Sequence, residues 1–227
     1  MTHTLLAAAP AEDRGRALPA DPAARNSPKS KRTRRRILDA ALQLFADCGY
    51  ANATNARIAE AAQLTRGAML YHFPGREELV EAAIEHIQAA RTALFQTAAA
   101  KRPAGADAAD YAIDAYWRLL HEPAFVAFQE LESAARTDPW LEQALRPAQA
   151  AFDRAQLGDA MGPLVQAGAG ARFQASRDLA RFVLEGLARA TLADDSDGRT
   201  ARLIEVVKRA THALNRKGAA QDLWPDG

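Results

Sequence analysis

Only one of the 227 residues is a cysteine, Cys48. That excludes an intramolecular disulfide framework and leaves too few thiols for a structural zinc site. Behind Phe45 on an apolar run, Cys48 reads as a small packing residue. Long hydrophobic runs are missing as well: charges interrupt every apolar stretch, so none approaches the roughly 20 residues that a membrane span needs. The opening MTHTLLAAAP has an apolar patch of about six residues and no basic residue before it, shorter than a secretory signal core. A cytoplasmic protein without a membrane partner is the expectation. Strand-like alternation is absent, and so are His-Glu-x-x-His, a phosphate-cradling glycine loop, a nucleophile elbow and paired metal-binding cysteines. The chain is therefore expected not to be an enzyme and to use no cofactor and no metal. A catalytic site assembled from distant residues stays open as an alternative.

Net charge is only +1, yet it is laid down unevenly. Residues 29–36, KSKRTRRR, concentrate six basic side chains, while the residues before them are rich in Ala and Pro and lack periodicity. Residues 1–30 are thus expected to be a disordered, basic-ended arm. From Thr33 the pattern turns helical, with Ile37, Leu38, Ala41, Leu44 and Phe45 on one stripe. Gly49 closes that helix, Thr54 caps a second and Thr65 a third, very short one, which Pro74-Gly75 stops. Everything after Arg76 is again helical, punctuated by Pro-Ala-Gly, Glu-Pro, Asp-Pro and glycine breaks. Pro147, inside the run that opens at Pro139, predicts a kink or restart there. The expected fold is all-α with about nine helices. Residues 31–76 are expected to form a three-helix helix-turn-helix domain, 77–217 a helical C-terminal domain, and 218–227 a loose tail.

The short third helix carries the chemistry. Met69 and Phe73, four apart, share a face and anchor it to Leu44, Phe45 and Ile58, which turns Arg66 and Leu70 outward. An outward Arg66 can present its planar fork to guanine O6 and N7, the commonest base-specific contact. Gly67 lets the backbone approach closely. Thr65 brings a hydroxyl and free N–H groups to a phosphate at the positive end of the helix dipole, and Tyr71 and His72 offer donors at the far end. Arg76, opening the next helix, sits against the positive end of its dipole and suits a nearby phosphate.

The run RRRILDAALQLFADCGYANATNARIAEAAQLTRGAMLYHFPGREEL resembles the TetR family of bacterial transcriptional regulators. The likeness rests on Ile37 to Phe45, Gly49-Tyr50, Thr54, Ile58-Ala59, Arg66-Gly67, His72-Phe73 and Glu77-x-Leu79, in register without gaps over roughly residues 33–80. It implies a homodimer whose recognition helices enter successive major grooves of a near-palindromic double-stranded operator, and a small-molecule effector cavity in each C-terminal domain whose filling releases DNA. By position, Thr65, Arg66, Gly67, Tyr71 and His72 fall on DNA contacts, and Thr54, Asn55 and Arg76 on phosphates or flanking bases. Three departures stand out. Leu70 replaces a common Tyr and offers a thymine methyl an apolar partner. Gln63 replaces a turn Gly, so that a left-handed backbone there costs about 1 kcal/mol. Ala56 lacks a hydrogen-bonding side chain, shifting weight to Asn55 and Arg57. Lys31, Arg32 and Arg34 in the basic arm add salt-dependent affinity.

The C-terminal region is heavy in Ala but carries aromatic residues at helical spacings. Most suit core packing. Trp117, His121, Phe125 and Phe128 are the candidates for an apolar pocket holding a lipophilic or aromatic effector, with the histidine as its polar handle. In the last two helical segments Leu179, Phe182, Val183 and Leu187 form one stripe, and Leu203, Val207 and Leu214 belong to another. Two such stripes per subunit would make a four-helix dimer interface, and a single protomer burying them is the alternative. The function expected is a sequence-specific transcriptional regulator, most simply a repressor released by its effector. The alternative is a helical DNA-binding protein without ligand control that organises chromosomal sites.

Overall fold

The computed structural model describes residues 27–157, 171–190 and 195–215, and these form nine helices with no strand among them. The expected 1–26 portion of the arm and the 218–227 tail lie outside the described residues. In chain order the helices are α1 (Pro28–Asn52), α2 (Asn55–Ala61), α3 (Arg66–His72), α4 (Arg76–Ala100), α5 (Ala108–Leu119), α6 (Pro123–Ala135), α7 (Pro139–Leu157), α8 (Ala171–Arg189) and α9 (Arg199–Asn215). None is long and apolar enough to cross a membrane.

The first helix begins earlier than its apolar periodicity indicates. Ser27 caps it, its side chain accepting from the Ser30 N–H at 3.2 Å, and Pro28 takes the first turn, where the missing N–H costs nothing. The basic run 29–36 is therefore helical, and residues 28–30 of the expected arm belong to α1. Gly49 interrupts α1 with φ +76°, a left-handed backbone that glycine reaches without strain. A Cβ there would also come within 2.9 Å of Glu130 Oε2 on α6, the helix that packs most extensively against α1. The Thr54 hydroxyl accepts from the Arg57 N–H at 3.3 Å and the Thr65 hydroxyl from the Ala68 N–H at 3.1 Å. Between those two capped helices Gln63 adopts φ 52°, so the turn keeps its left-handed geometry without a glycine. Helix α7 continues through Pro147 and does not restart there.

Two cores organise the molecule. The first joins Ile37, Ala41 and Phe45 of α1, Ile58 of α2, Met69 of α3 and Phe73 beyond it to Leu79 through Ile87 of α4, Phe128 and Leu131 of α6, and Leu141 of α7. Each such large side chain stabilises by about 1.5–3 kcal/mol on burial. The helix-turn-helix thus has no core of its own: a boundary at residue 76 cuts through one continuous apolar cluster. The second core gathers Phe95 of α4, Ile113 and Tyr116 of α5, Phe125 of α6, Phe152 of α7, Leu184 of α8 and Val207 of α9.

Candidate nucleic-acid interface

On α3, Met69 is fully buried and Phe73 nearly so, and both join the core that contains Phe45 and Ile58. Pinned on that side, the helix turns Arg66 and Gly67 to solvent, with Leu70 37% and Tyr71 40% exposed. Two large exposed side chains on one short helix otherwise anchored in the core form an apolar-and-aromatic surface. A Cβ added at Gly67 would meet nothing within 4 Å, so the fold does not require a glycine there.

The basic residues divide into two groups. Arg66, Lys31 and Arg32 are exposed and make no side-chain hydrogen bond or ion pair within the described residues. Arg34, expected in the arm as a DNA contact, is instead turned inward: its Nη1 donates to the His72 carbonyl at 2.7 Å and its guanidinium lies 4.1 Å from the Phe73 ring centre. It ties α1 to the end of α3. Arg76 is likewise engaged, its Nη1 donating to the Ala53 carbonyl and, at 3.3 Å, to Asn55 Oδ1, while Nη2 donates to the Tyr50 carbonyl at 3.1 Å. Its guanidinium also stacks 4.8 Å from the Tyr50 ring centre. Arg57 Nη1 donates to the Asn52 carbonyl at 3.0 Å. The α1–α2 loop carbonyls thus draw in arginines that sequence position assigns to DNA, because unpaired carbonyls at helix ends compete for donors.

Arg76, Asn55, Thr54, Tyr50 and Ala51 line a surface notch of about 340 Å³. The Thr54 and Thr65 hydroxyls accept their capping bonds and keep their own hydrogens free to donate outward. His72 packs edge-on to Tyr71 with ring centres 5.2 Å apart. Partial burial, and then the neighbouring Arg34 charge, hold its pKa below the usual 6.5, so the imidazole is neutral at pH 7. The folded state resists protonating it, and this contribution to stability is lost as pH falls through 6.5 and below.

In the C-terminal helices the four pocket residues meet in pairs, Trp117 with His121 at 4.7 Å between ring centres and Phe125 with Phe128 over one cation, but line no common cavity among the described residues. Phe128 belongs to the first core and Phe125 to the second, Trp117 lies half-buried on α5, and His121 is exposed with Nδ1 2.8 Å from the Trp117 carbonyl. A nearby cleft is lined by Phe95, Tyr111, Ala115, Tyr116 and Leu119 with flanking alanines, and by none of the four. It has room for about 10 Å³, the space of one water. Phe125 and Phe128 instead face a residue outside the sequence-based candidates, Arg91, which is 4% exposed. A signal for it exists: Arg91 falls in register with Ile84, Ile87 and Phe95, a charge on an apolar stripe.

Of the interface residues, Leu179 and Phe182 stand 50% and 64% exposed, and Val183, Leu187 and Leu203 are half-buried. Val207 and Leu214 are buried within the protomer. The stripe on α9 is spent inside its own bundle, where it meets α8 and α5. Asp107, Asp110 and His212 lie close enough to share a metal ion, but they are at the surface and already engaged: Asp107 caps α5 and Asp110 lies 2.9 Å from His212 Nε2.

Residues 37–83 match the family model of the bacterial regulatory proteins of the tetR family. Over those residues the chain carries a DNA-binding domain of the TetR family. The HTH-type transcriptional regulators TtgW and SrpR of Pseudomonas putida are 42% and 40% identical to it over 62 residues, 27% of this chain in each case. Those matches span 46% of TtgW, whose name marks it as uncharacterized, and 29% of SrpR, so the chain matches less than half the length of these curated relatives. The likeness of fold extends further. Salmonella enterica GusR superposes with a TM-score of 0.58 at 21% identity, over 84% of this chain and 96% of GusR.

Proposed function

We propose that the chain is a DNA-binding transcriptional regulator that lays α3 into the major groove of a near-palindromic operator as a homodimer and is controlled by a small lipophilic or aromatic effector in its C-terminal helices. The carrying observation is the division of α3: Met69 and Phe73 are sunk in the core while Arg66, Gly67, Leu70 and Tyr71 face outward, and the Arg66 side chain makes no hydrogen bond or ion pair among the described residues. In this reading Arg66 reads a guanine, Leu70 meets a thymine methyl, and Tyr71, Thr65 and Thr54 donate to phosphates. Arg76 and Arg57 serve by shaping the loop that presents Thr54 and Asn55, and the notch beside Arg76 receives a phosphate. The exposed Leu179 and Phe182 on α8 supply the dimer contact.

Selection of bound sequences from random DNA should return two half-sites about one helical turn apart, as two-fold symmetry demands. Replacing Arg66 with Ala should then cost about 1–3 kcal/mol at one position of the half-site and relax preference there. Equal losses on random DNA would remove base reading from Arg66. The narrowness of the cleft between α4 and α5 favours a second reading, a DNA-binding protein without ligand control. No effector changing operator affinity across a broad compound screen would support it, since coupling between sites is measurable from either side.

A further inference from the structure

Arg91 is the most deeply buried charge among the described residues, and none of their carboxylates pairs with it. Its guanidinium carbon lies 3.8 Å from the ring centre of Phe128, 3.9 Å from that of Phe152 and 5.2 Å from that of Phe125. Within the described residues its side chain makes one hydrogen bond, from Nη1 to Gln88 Oε1 at 3.3 Å, and Nε is buried without an acceptor. The carboxylates nearby are taken. Glu185 accepts from Tyr116 and Arg181, Asp153 from Arg181 and Gln149, and Glu132 from Arg189, all at 2.6–2.8 Å. Ring faces offset part of the cost of burying a cation, but they leave Nε idle, and the guanidinium's in-plane edge matches a carboxylate.

We propose that Arg91 is the anchor for an anionic effector, a monocarboxylate on an apolar or aromatic body, and that it binds at the seam between the two cores. The proposal rests on the ligand-controlled regulator reading and gives the effector its chemical class. Three phenylalanines around the cation suit an apolar body, and the two acidic groups nearest in field, Glu132 and Glu185, disfavour a doubly charged phosphate. Burial lowers the Arg91 pKa to about 10, which leaves it charged at neutral pH and ready to pair. The position also couples to DNA. Phe128 belongs to the core under the helix-turn-helix, Phe125 and Phe152 to the other. The same helix carries Arg76, which grips the α1–α2 loop about 22 Å away at 1.5 Å per residue. An anion that draws Arg91 off Phe128 shifts the packing on which α3 rests.

The test uses the full chain, wild type and Arg91→Met, with benzoate, 2-naphthoate and decanoate, each beside its neutral primary amide. Thermal shift and titration calorimetry read binding, and fluorescence anisotropy on the selected operator reads release. At least one carboxylate should bind the wild type about tenfold or more tightly than its amide and lower operator affinity. Arg91→Met should melt at or above the wild-type temperature and lose that preference, since a well-packed apolar residue replaces a buried charge without penalty. Three results overturn the proposal: equal binding of acid and amide, no carboxylate bound by the wild type, or an unchanged preference in Arg91→Met. A marked fall in melting temperature for the variant, together with no carboxylate effect on the wild type, makes Arg91 a structural residue. Operator release by the amides would keep the regulator reading while ending this one, whereas a wild type that binds no DNA ends the regulator reading whatever the calorimetry gives.

Discussion

Gly67 isolates a single atom's contribution. A Cβ at this position meets no protein atom within 4 Å, and alanine favours a helix over glycine by about 1 kcal/mol. Gly67→Ala should therefore hold or raise the melting temperature while weakening operator binding in an anisotropy titration, because in the proposed complex the methyl would meet the duplex. Unchanged affinity would mean that the backbone of α3 does not approach the duplex closely. Arginines are harder to assign from sequence alone. Arg34 and Arg76 carry the same charge as Arg66 and stand at positions equally suited to phosphates, yet carbonyls brought near by folding claim them. Residue type tells what each could do, and only the neighbours tell what is left to do.

At the scale of elements, α1 shows why a composition-based boundary fails. Ala and Pro enrichment argues for a loose arm through residue 30, but Ser27 and Pro28 form a capped start that carries the basic run onto a helix. Side chains on a helix keep fixed directions, so the run splits by face: Arg34 inward to His72 and Phe73, Lys31 and Arg32 outward. Substituting Lys31 and Arg32 together with Gln should reduce the slope of log affinity against log salt by about 0.9 for each phosphate no longer neutralised, with no change in melting temperature. An unaltered slope would take α1 away from the DNA backbone. The caps at Thr54 and Thr65 and the short α3 are legible in the sequence, because each depends on bonds within a few residues, whereas the left-handed backbone at Gln63 is suggested only by the glycine that the resemblance puts there. The pairing of α9 with its own bundle is not, since an apolar stripe specifies that it is buried and not by what.

For the whole molecule, the exposed face of α8 sets the test of assembly. Phe182 is 64% exposed and Gly186, one turn on, has open space around it, so a charge at 182 disturbs little inside the protomer. Phe182→Glu should leave the helical signal and melting of the isolated chain intact and convert a dimer to monomers in sedimentation velocity. A dimer that persists at the same concentration would move the interface elsewhere. The helical class, the caps, the outward side of α3 and the family of the N-terminal domain can all be read along the chain, since these are local patterns that survive any arrangement of the rest. Long-range packing was needed to establish that the helix-turn-helix shares its core with α4, α6 and α7, that Arg34 and Arg76 are spent on carbonyls far away in the chain, and that Arg91 sits charged among three phenylalanine rings. Those outcomes depend on residues far apart in the chain meeting in one place, where desolvation and competition for donors, not residue type, settle the role of each side chain.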